Sequence, residues 1–171
     1  MLGSQAAHQG AHRRHRPKAQ QQPKAMQICW ANVNKSTPCH ITMLEIAYQR
    51  EIDVLCIQEP ATYPGSRTSN HPGYSTHAPI EAWGNTQILV AERPRVMTYV
   101  QKDAGLEVRP KQPLQSRDMV WTEVNGYSIL NVYRQPETPT VIDYVTSLSP
   151  PSRCVVAVSY THLTLPTNRE V

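Results

Sequence analysis

The sequence predicts a mixed α/β fold with short strands, many turns and few helices. Residues 53–57 form a short apolar run rich in branched residues, which favours a buried strand, and residues 28–34 form a second strand-like run that ends in polar side chains. A stretch with helical spacing of apolar residues separates them, which gives a strand, helix, strand order. Fifteen prolines among 171 residues favour turns over long helices. A chain of this length is expected to form one domain with a sizeable core.

The first helix is expected to follow a strand at 26–32. Thr37 is predicted as its N-cap, and Pro38 suits the first helical position because its fixed φ is already helical. The apolar residues that recur at helical spacing are predicted to pack against the sheet: Ile41, Leu44, Ala47 and Tyr48.

The second strand is expected to end at a carboxylate. The apolar run stops at Gln58-Glu59-Pro60, and Pro60 cannot continue a central strand. Pro60 also predicts extended backbone at Glu59. Taken alone, Glu59 is most simply interpreted as a solvated loop residue. A carboxylate at the mouth of a buried strand is also a suitable oxygen ligand for a hard cation.

The middle of the chain is predicted as a loop over residues 61–85, with a turn at His71-Pro-Gly-Tyr74. Two interpretations stay open for Trp83 and Tyr74, which either stack on nucleic acid bases or cover the sheet edge. The remaining elements are predicted as a strand at 95–102, strands at 119–124 and 127–133, a helix at 138–148 and a strand from 153.

Asn125-Gly126 predicts a hairpin between two of these strands, because both turn positions favour positive φ. Alternation along the second arm places Asn131 and Tyr133 on one face and Leu130 and Val132 on the other. Tyr133 therefore reaches a strand end, as Asn32 and Glu59 do. Three such strand ends can build one polar mouth.

Composition narrows the function classes. Lys plus Arg exceed Asp plus Glu by 17 to 13, and the isoelectric point is about 9.0, which is compatible with a polyanionic partner. The four cysteines lack metal-finger spacing and are interpreted as reduced and intracellular. No apolar run is long enough to span a bilayer, so no membrane partner is expected.

The ordered motifs resemble the endonuclease/exonuclease/phosphatase superfamily, and within it the endonuclease domain of non-LTR retrotransposons, found upstream of a reverse transcriptase. They are Trp-Ala-Asn-Val-Asn, Asp-Val-Leu-Cys-Ile-Gln-Glu-Pro, Arg-Pro-Arg-Val-Met-Thr-Tyr-Val and Leu-Asn-Val-Tyr-Arg-Gln-Pro, in that order. The resemblance covers residues 26–157. It implies a four-layered α/β/β/α sandwich (DNase I-like) whose second half is missing.

The resemblance also implies the chemistry, which is phosphodiester hydrolysis in DNA with Mg²⁺ (or Mn²⁺). Glu59 would be a metal ligand, with Asn34 in the outer coordination shell. Asn32 would orient the scissile phosphate or the ligands. Tyr133 would donate a hydrogen bond to a phosphate oxygen and stabilise the transition state. Arg134 is either an additional positive charge nearby or an ordinary surface residue.

The sequence departs from the family pattern in two places. Ala31 separates Trp30 from Asn32, and one inserted residue reverses the facing of a strand unless a bulge absorbs it. After Ala157 the family continues with Gly-Asp-Phe-Asn, but this chain continues with Val158-Ser-Tyr-Thr-His. Residues 158–171 are interpreted as a translated sequencing adapter, with a genuine divergent tail as the alternative, so His162 is not a catalytic candidate. The chain is therefore expected to lack most of the second sheet and to be inactive or nearly so.

Residues 1–25 are expected to form a disordered tail, because they contain few large apolar side chains. The basic cluster at 12–18 is either a phosphate contact, a nuclear import signal or simply solvated, and the expected location is nuclear. Two other functions stay open. One is a different phosphoesterase of the same superfamily, and the other is a non-catalytic nucleic-acid-binding fragment.

Overall fold

The computed structural model describes residues 25–80, 93–135 and 139–159. Ten strands and two helices occur in these ranges, in the order β1 (Ile28–Asn32), α1 (Thr37–Gln49), β2 (Val54–Gln58), β3 (Thr62–Tyr63), β4 (Arg67–Thr68), β5 (Tyr74–His77), β6 (Val96–Gln101), β7 (Val108–Lys111), β8 (Met119–Val124), β9 (Tyr127–Tyr133), α2 (Thr140–Ser147) and β10 (Cys154–Ser159). Trp83, Pro136, His162 and the basic cluster at 12–18 lie outside the described residues.

Two four-stranded sheets form the centre of the fold, with strand orders β1-β2-β6-β5 and β10-β9-β8-β7. β1 pairs in parallel with β2, and β10 pairs in parallel with β9, while the other neighbours are antiparallel. Parallel strands need a crossover connection, and here α1 and α2 provide the two crossovers. Each sheet therefore contains one pair of parallel strands that a helix connects.

The core has three apolar interfaces. Residues from both sheets pack between them: Val54, Cys56, Val100, Val124, Ile129 and Ala157. On the outer face of the first sheet, Leu44 and Ala47 of α1 pack in a cluster that contains Leu55. On the outer face of the second sheet, Val141 of α2 packs in a cluster that contains Trp121. The layers are therefore helix, sheet, sheet, helix, and the predicted four-layered α/β/β/α sandwich is confirmed.

Several predicted elements need correction. Most of the second sheet was expected to be missing, yet four strands form it. Ser36, rather than Thr37, caps α1 and accepts a hydrogen bond from the Cys39 amide at 3.4 Å. The predicted loop at 61–85 contains β3, β4 and β5, and the stretch between the predicted strands at 95–102 and 119–124 contains β7. The β5 and β7 strands exist because their backbones pair with β6 and β8, and such tertiary pairing overrides weak local propensity.

The buried face of α1 also differs from the prediction. Ile41 is 54% exposed and Tyr48 is 39% exposed, whereas His40 is fully buried beside Leu44. His40 Nδ1 accepts a hydrogen bond from the Ala61 amide at 3.1 Å, and Nε2 lies 3.0 Å from the Tyr99 hydroxyl. Both ring nitrogens are thus partnered, and His40 fixes the chain just beyond Glu59-Pro60. Among the described helices, none is long and apolar enough to cross a membrane.

His40 makes the stability of the domain depend on pH. Burial lowers the pKa of His40 from 6.5 to about 4. Because the unfolded state then binds the extra proton first, stability is fully present above about pH 6.5 and is lost as the pH falls toward 4. The loss attributable to His40 is at most about 3 kcal/mol. Urea unfolding at pH 7 and pH 4.5 will measure it, with His40→Asn as a non-titrating control. Equal pH dependence in the two proteins would contradict the assignment.

Candidate active site

Three of the predicted residues meet where strands of both sheets end. Asn32 closes β1, Glu59 follows β2, and Tyr133 closes β9. Asn32 Nδ2 donates a hydrogen bond to Glu59 Oε1 at 3.2 Å, and the Glu59 carboxylate lies close enough to the Tyr133 phenol to help raise the pKa of that phenol. A carboxylate therefore sits between an amide and a phenol contributed by different strands.

Ala31 does not disturb this arrangement. The pairing of β1 with β2 runs without interruption from Ile28 opposite Val54 to Asn32 opposite Gln58. No bulge is present in this pairing, and the Asn32 side chain nevertheless reaches Glu59. The inserted alanine is thus accommodated within a regular strand, with Trp30 left 56% exposed on β1.

Glu59 is held in an uncommon backbone conformation. Its φ is +47°, in the left-handed region, so the prediction of extended backbone before Pro60 is wrong. Main-chain hydrogen bonds on both sides provide the reason: the Glu59 amide donates to the Arg95 carbonyl at 2.8 Å, and the Lys35 amide donates to the Glu59 carbonyl at 2.7 Å. The side chain is only 6% exposed. Strained backbone at a buried carboxylate is a frequent property of functional sites.

Asn32 connects the parts of this site. In addition to its bond to Glu59, Nδ2 donates to Ser159 Oγ at 2.9 Å, and Oδ1 accepts from the Asn34 amide at 2.8 Å. Asn34, the predicted outer-shell residue, enters the site through that main-chain contact, and it has a positive φ of 48°. The local turn that Asn34 forms orients the Asn32 amide toward Glu59.

Tyr133 lies in a polarised environment. The side chain is 7% exposed, and the guanidinium carbon of Arg95 lies 5.4 Å from the centre of its ring. Burial and the adjacent Glu59 carboxylate raise the pKa of Tyr133. The phenol therefore stays protonated and available as a hydrogen-bond donor at neutral pH. Arg134 follows it in the chain and is half-buried.

Ser159 belongs to this site although the sequence argument did not assign it. It is the last residue of β10 and pairs with Tyr133 across the parallel ladder. Only 9% of its surface is exposed. The available signal was a polar residue at the end of the strand predicted from 153, but that residue fell within the stretch interpreted as an adapter.

A buried amide pair connects the two sheets directly beneath the site. Gln58 Nε2 donates to Asn131 Oδ1 at 2.7 Å, and both side chains are completely buried. Asn131 Nδ2 reaches the other sheet as well, donating to the Met97 carbonyl at 2.9 Å and the Ile57 carbonyl at 3.2 Å. Gln58 precedes Glu59 and Asn131 lies two residues before Tyr133, so this pair joins the two strands whose ends carry these site residues.

The oxygen atoms of the site meet only part of what a divalent cation needs from its ligands. Glu59 supplies one carboxylate and Ser159 an uncharged hydroxyl oxygen, while Asn32 directs its amide nitrogen toward both of them and its Oδ1 toward the Asn34 amide. Within the described ranges, no group of three His, Cys, Asp or Glu side chains is placed to hold a metal ion. Mg²⁺ commonly uses one or two protein carboxylates and fills its other positions with water and phosphate. Glu59 fits that role as a single anchoring ligand.

Comparison with known proteins gives a structural match and no sequence match. No family model matches the chain, and no curated protein matches it significantly. Among solved structures, the chain is similar to the endonuclease domain of TRAS1, a telomere-specific non-LTR retrotransposon, with a TM-score of 0.58 and 15% identity. The match covers 78% of this chain and 58% of that domain, so the chain spans little more than half of its length. The chain therefore shares the fold of that endonuclease domain.

Proposed function

We propose that this chain is the Glu59-bearing part of an endonuclease domain of the non-LTR retrotransposon type, which cleaves phosphodiesters in DNA with Mg²⁺ or Mn²⁺. The observation that carries the proposal is the buried Glu59 carboxylate, held between Asn32 and Tyr133 where strands of both sheets end. The shared fold with a retrotransposon endonuclease domain supports it. A nuclear location follows from a chromosomal DNA substrate.

Each side chain has a distinct role in this proposal. A bound divalent cation supplies positive charge to the phosphate and lowers the pKa of water. Glu59 anchors that cation, and Asn32 fixes the orientation of the Glu59 carboxylate. Tyr133, which is kept protonated by burial and by Glu59, donates its phenol hydrogen to a phosphate oxygen as negative charge develops there.

This chain is proposed to bind the cation and DNA but to hydrolyse DNA slowly or not at all. The side chains gathered at the site are one carboxylate, one amide, one phenol and one hydroxyl. Neither the hydroxyl nor the phenol is a strong base at neutral pH, so activation of the attacking water is weak. The described part of the site therefore favours binding over turnover.

Substitution of Glu59 by the isosteric glutamine tests the cation role. Mn²⁺ titration followed by electron paramagnetic resonance should show binding to the unchanged chain that weakens at least about tenfold in Glu59→Gln, because a carboxylate contributes charge that an amide lacks. Glu107→Gln is the matched control, since the Glu107 side chain is 66% exposed and pairs with Arg109. Equal Mn²⁺ affinity in Glu59→Gln and the unchanged chain would refute the cation role.

The pKa of Tyr133 provides a second measurement that does not depend on turnover. Because the Glu59 charge helps to raise this pKa, both Glu59→Gln and saturating Mg²⁺ should lower it. Carbon-13 resonances of the tyrosine rings, assigned with Tyr133→Phe, will report the titration. A Tyr133 pKa that is insensitive to Mg²⁺ would argue that the cation does not bind at Glu59.

The single carboxylate of the site also keeps a second candidate open, a non-catalytic nucleic-acid-binding fragment. DNA binding that is independent of Mg²⁺ and of Glu59→Gln, and is lost on deletion of residues 1–24, would favour that function. A panel of phosphomonoester and phosphodiester substrates will distinguish a nuclease from other phosphoesterases.

A further inference from the structure

A basic cleft lies directly beside Glu59. Its volume is about 430 Å³, within the usual size of small-ligand sites. Four cationic side chains from separate parts of the chain line it, together with Glu59: Lys35, Arg93, Arg95 and Arg117. Lys35 follows β1, the two arginines at 93 and 95 precede β6, and Arg117 precedes β8.

A series of main-chain hydrogen bonds places Glu59 in a row with three of these cations, Lys35, Arg95 and Arg117. Together with Arg93, which lines the same cleft, these cations are called the basic row. The Lys35 amide donates to Glu59 at 2.7 Å, the Glu59 amide donates to Arg95 at 2.8 Å, and the Arg95 amide donates to Arg117 at 2.7 Å, each to the carbonyl oxygen. Neighbouring strands are about 5 Å apart, so the row extends over roughly 15 Å. Glu59 is thus flanked by Lys35 on one side and by two arginines on the other.

The cations of the row are positioned by further contacts. Arg93 donates from a guanidinium nitrogen to the Thr62 carbonyl at 3.0 Å. Arg95 and Arg117 share the buried Asp118 carboxylate, with N to O distances of 3.6 and 4.0 Å. One carboxylate between two guanidinium groups leaves a net positive charge. Burial lowers the pKa of Arg117, and the charge of the neighbouring Arg95 lowers it further.

We propose that this basic row is a binding subsite for successive phosphates of one DNA strand, which aligns that strand so that a single phosphodiester lies between Glu59 and Tyr133. The inference rests on the proposed function and names how its substrate is held. Guanidinium groups match phosphate geometry, and the ring of Tyr133 lies under Arg95, so the subsite and the reacting position are contiguous. Recognition is by backbone charge and does not depend on base sequence.

The test uses the full chain and a fluorescently labelled 20-base-pair DNA duplex, with binding measured by anisotropy across a range of salt concentrations. The double variant Lys35→Gln/Arg93→Gln should bind about tenfold more weakly at low salt. Its plot of log affinity against log salt should be shallower by roughly 2, because two phosphate contacts are lost. Lys111→Gln, on the edge strand β7 and outside the cleft lining, is the control and should change the slope little.

Three outcomes separate this inference from the proposed function. A double variant with the affinity and slope of the unchanged chain overturns the subsite, while Mn²⁺ binding through Glu59 still stands. A shallower slope together with Mn²⁺ affinity that is insensitive to Glu59→Gln supports the phosphate row but refutes the metal-dependent function. An unchanged chain that does not bind the duplex at all overturns both.

Discussion

Replacing Ser159 by aspartate is expected to tighten Mn²⁺ binding by roughly 10- to 100-fold. Ser159 Oγ already accepts a hydrogen bond from Asn32 Nδ2 at 2.9 Å, and the same nitrogen donates to Glu59 Oε1 at 3.2 Å. A carboxylate at this position would therefore lie one amide away from the existing one. Two carboxylates bind a divalent cation better than one, since each adds a full negative charge and an oxygen ligand.

Without metal, Ser159→Asp is expected to destabilise the folded protein. This destabilisation in EDTA, reversed by Mn²⁺, distinguishes metal binding from a general effect of the substitution. Two carboxylates close together repel each other, so the melting temperature of Ser159→Asp in EDTA should fall below that of the unchanged chain. Adding Mn²⁺ should recover it through binding to the folded state. Ser152→Asp adds the same charge before the start of β10, at an exposed position, and should change neither Mn²⁺ affinity nor its effect on melting. Equal affinity in both variants would place the cation away from Asn32.

Local chemistry explains which elements the sequence predicted correctly. The hairpin bounds at Met119–Val124 and Tyr127–Tyr133 agree with the structure. Asn125 and Gly126 have φ values of 49° and 76°. The Asn-Gly dipeptide alone predicts this turn, because both residues tolerate positive φ. By contrast, the short polar strands β5 and β7 depend on partners distant in the chain. The local sequence pattern therefore does not predict β5 or β7.

The same distinction applies to the site. Asn32, Glu59 and Tyr133 each come at the end of an apolar run, but their roles were predicted from the family resemblance of the ordered motifs. The pairing of β1 with β2 and the packing of the two sheets bring them together. Gln58 and Asn131 were not assigned, because a buried amide pair is visible only when two sheets face each other. His40 was missed for a related reason, since a histidine on an apolar helix face is partnered by the Ala61 amide and Tyr99 from other segments.

Replacing Asn131 by leucine is expected to destabilise the domain by about 3 to 5 kcal/mol, because several buried polar groups lose a partner at once, each at a cost of about 1–3 kcal/mol. Those groups are the Gln58 side-chain nitrogen and the carbonyls of Ile57 and Met97. Urea unfolding monitored by circular dichroism will measure the change. Thr146→Ala removes a hydroxyl on the exposed side of α2 and is the control, with an expected effect below about 1 kcal/mol.

The Gln58 partner makes this prediction specific. Gln58 Oε1 has no hydrogen-bond partner among the described residues, so Gln58→Leu removes one unsatisfied atom while leaving Asn131 Oδ1 without its donor. In the double variant Gln58→Leu/Asn131→Leu, neither amide remains to be left without the other as its partner. The total destabilisation should therefore be smaller than the sum of the two single values by roughly 1–2 kcal/mol. Strict additivity would mean that the two amides do not act together.

The amide pair also has a consequence at the site that stability alone does not explain. If it holds Glu59 against Tyr133, Asn131→Leu should lower the pKa of Tyr133, because the carboxylate that helps to raise that pKa moves away. The titration is measured in protein that remains folded. Thr146→Ala should leave this pKa unchanged. A folded Asn131→Leu protein with an unaltered Tyr133 pKa would show that the pair holds the sheets together without setting the geometry of Glu59 and Tyr133.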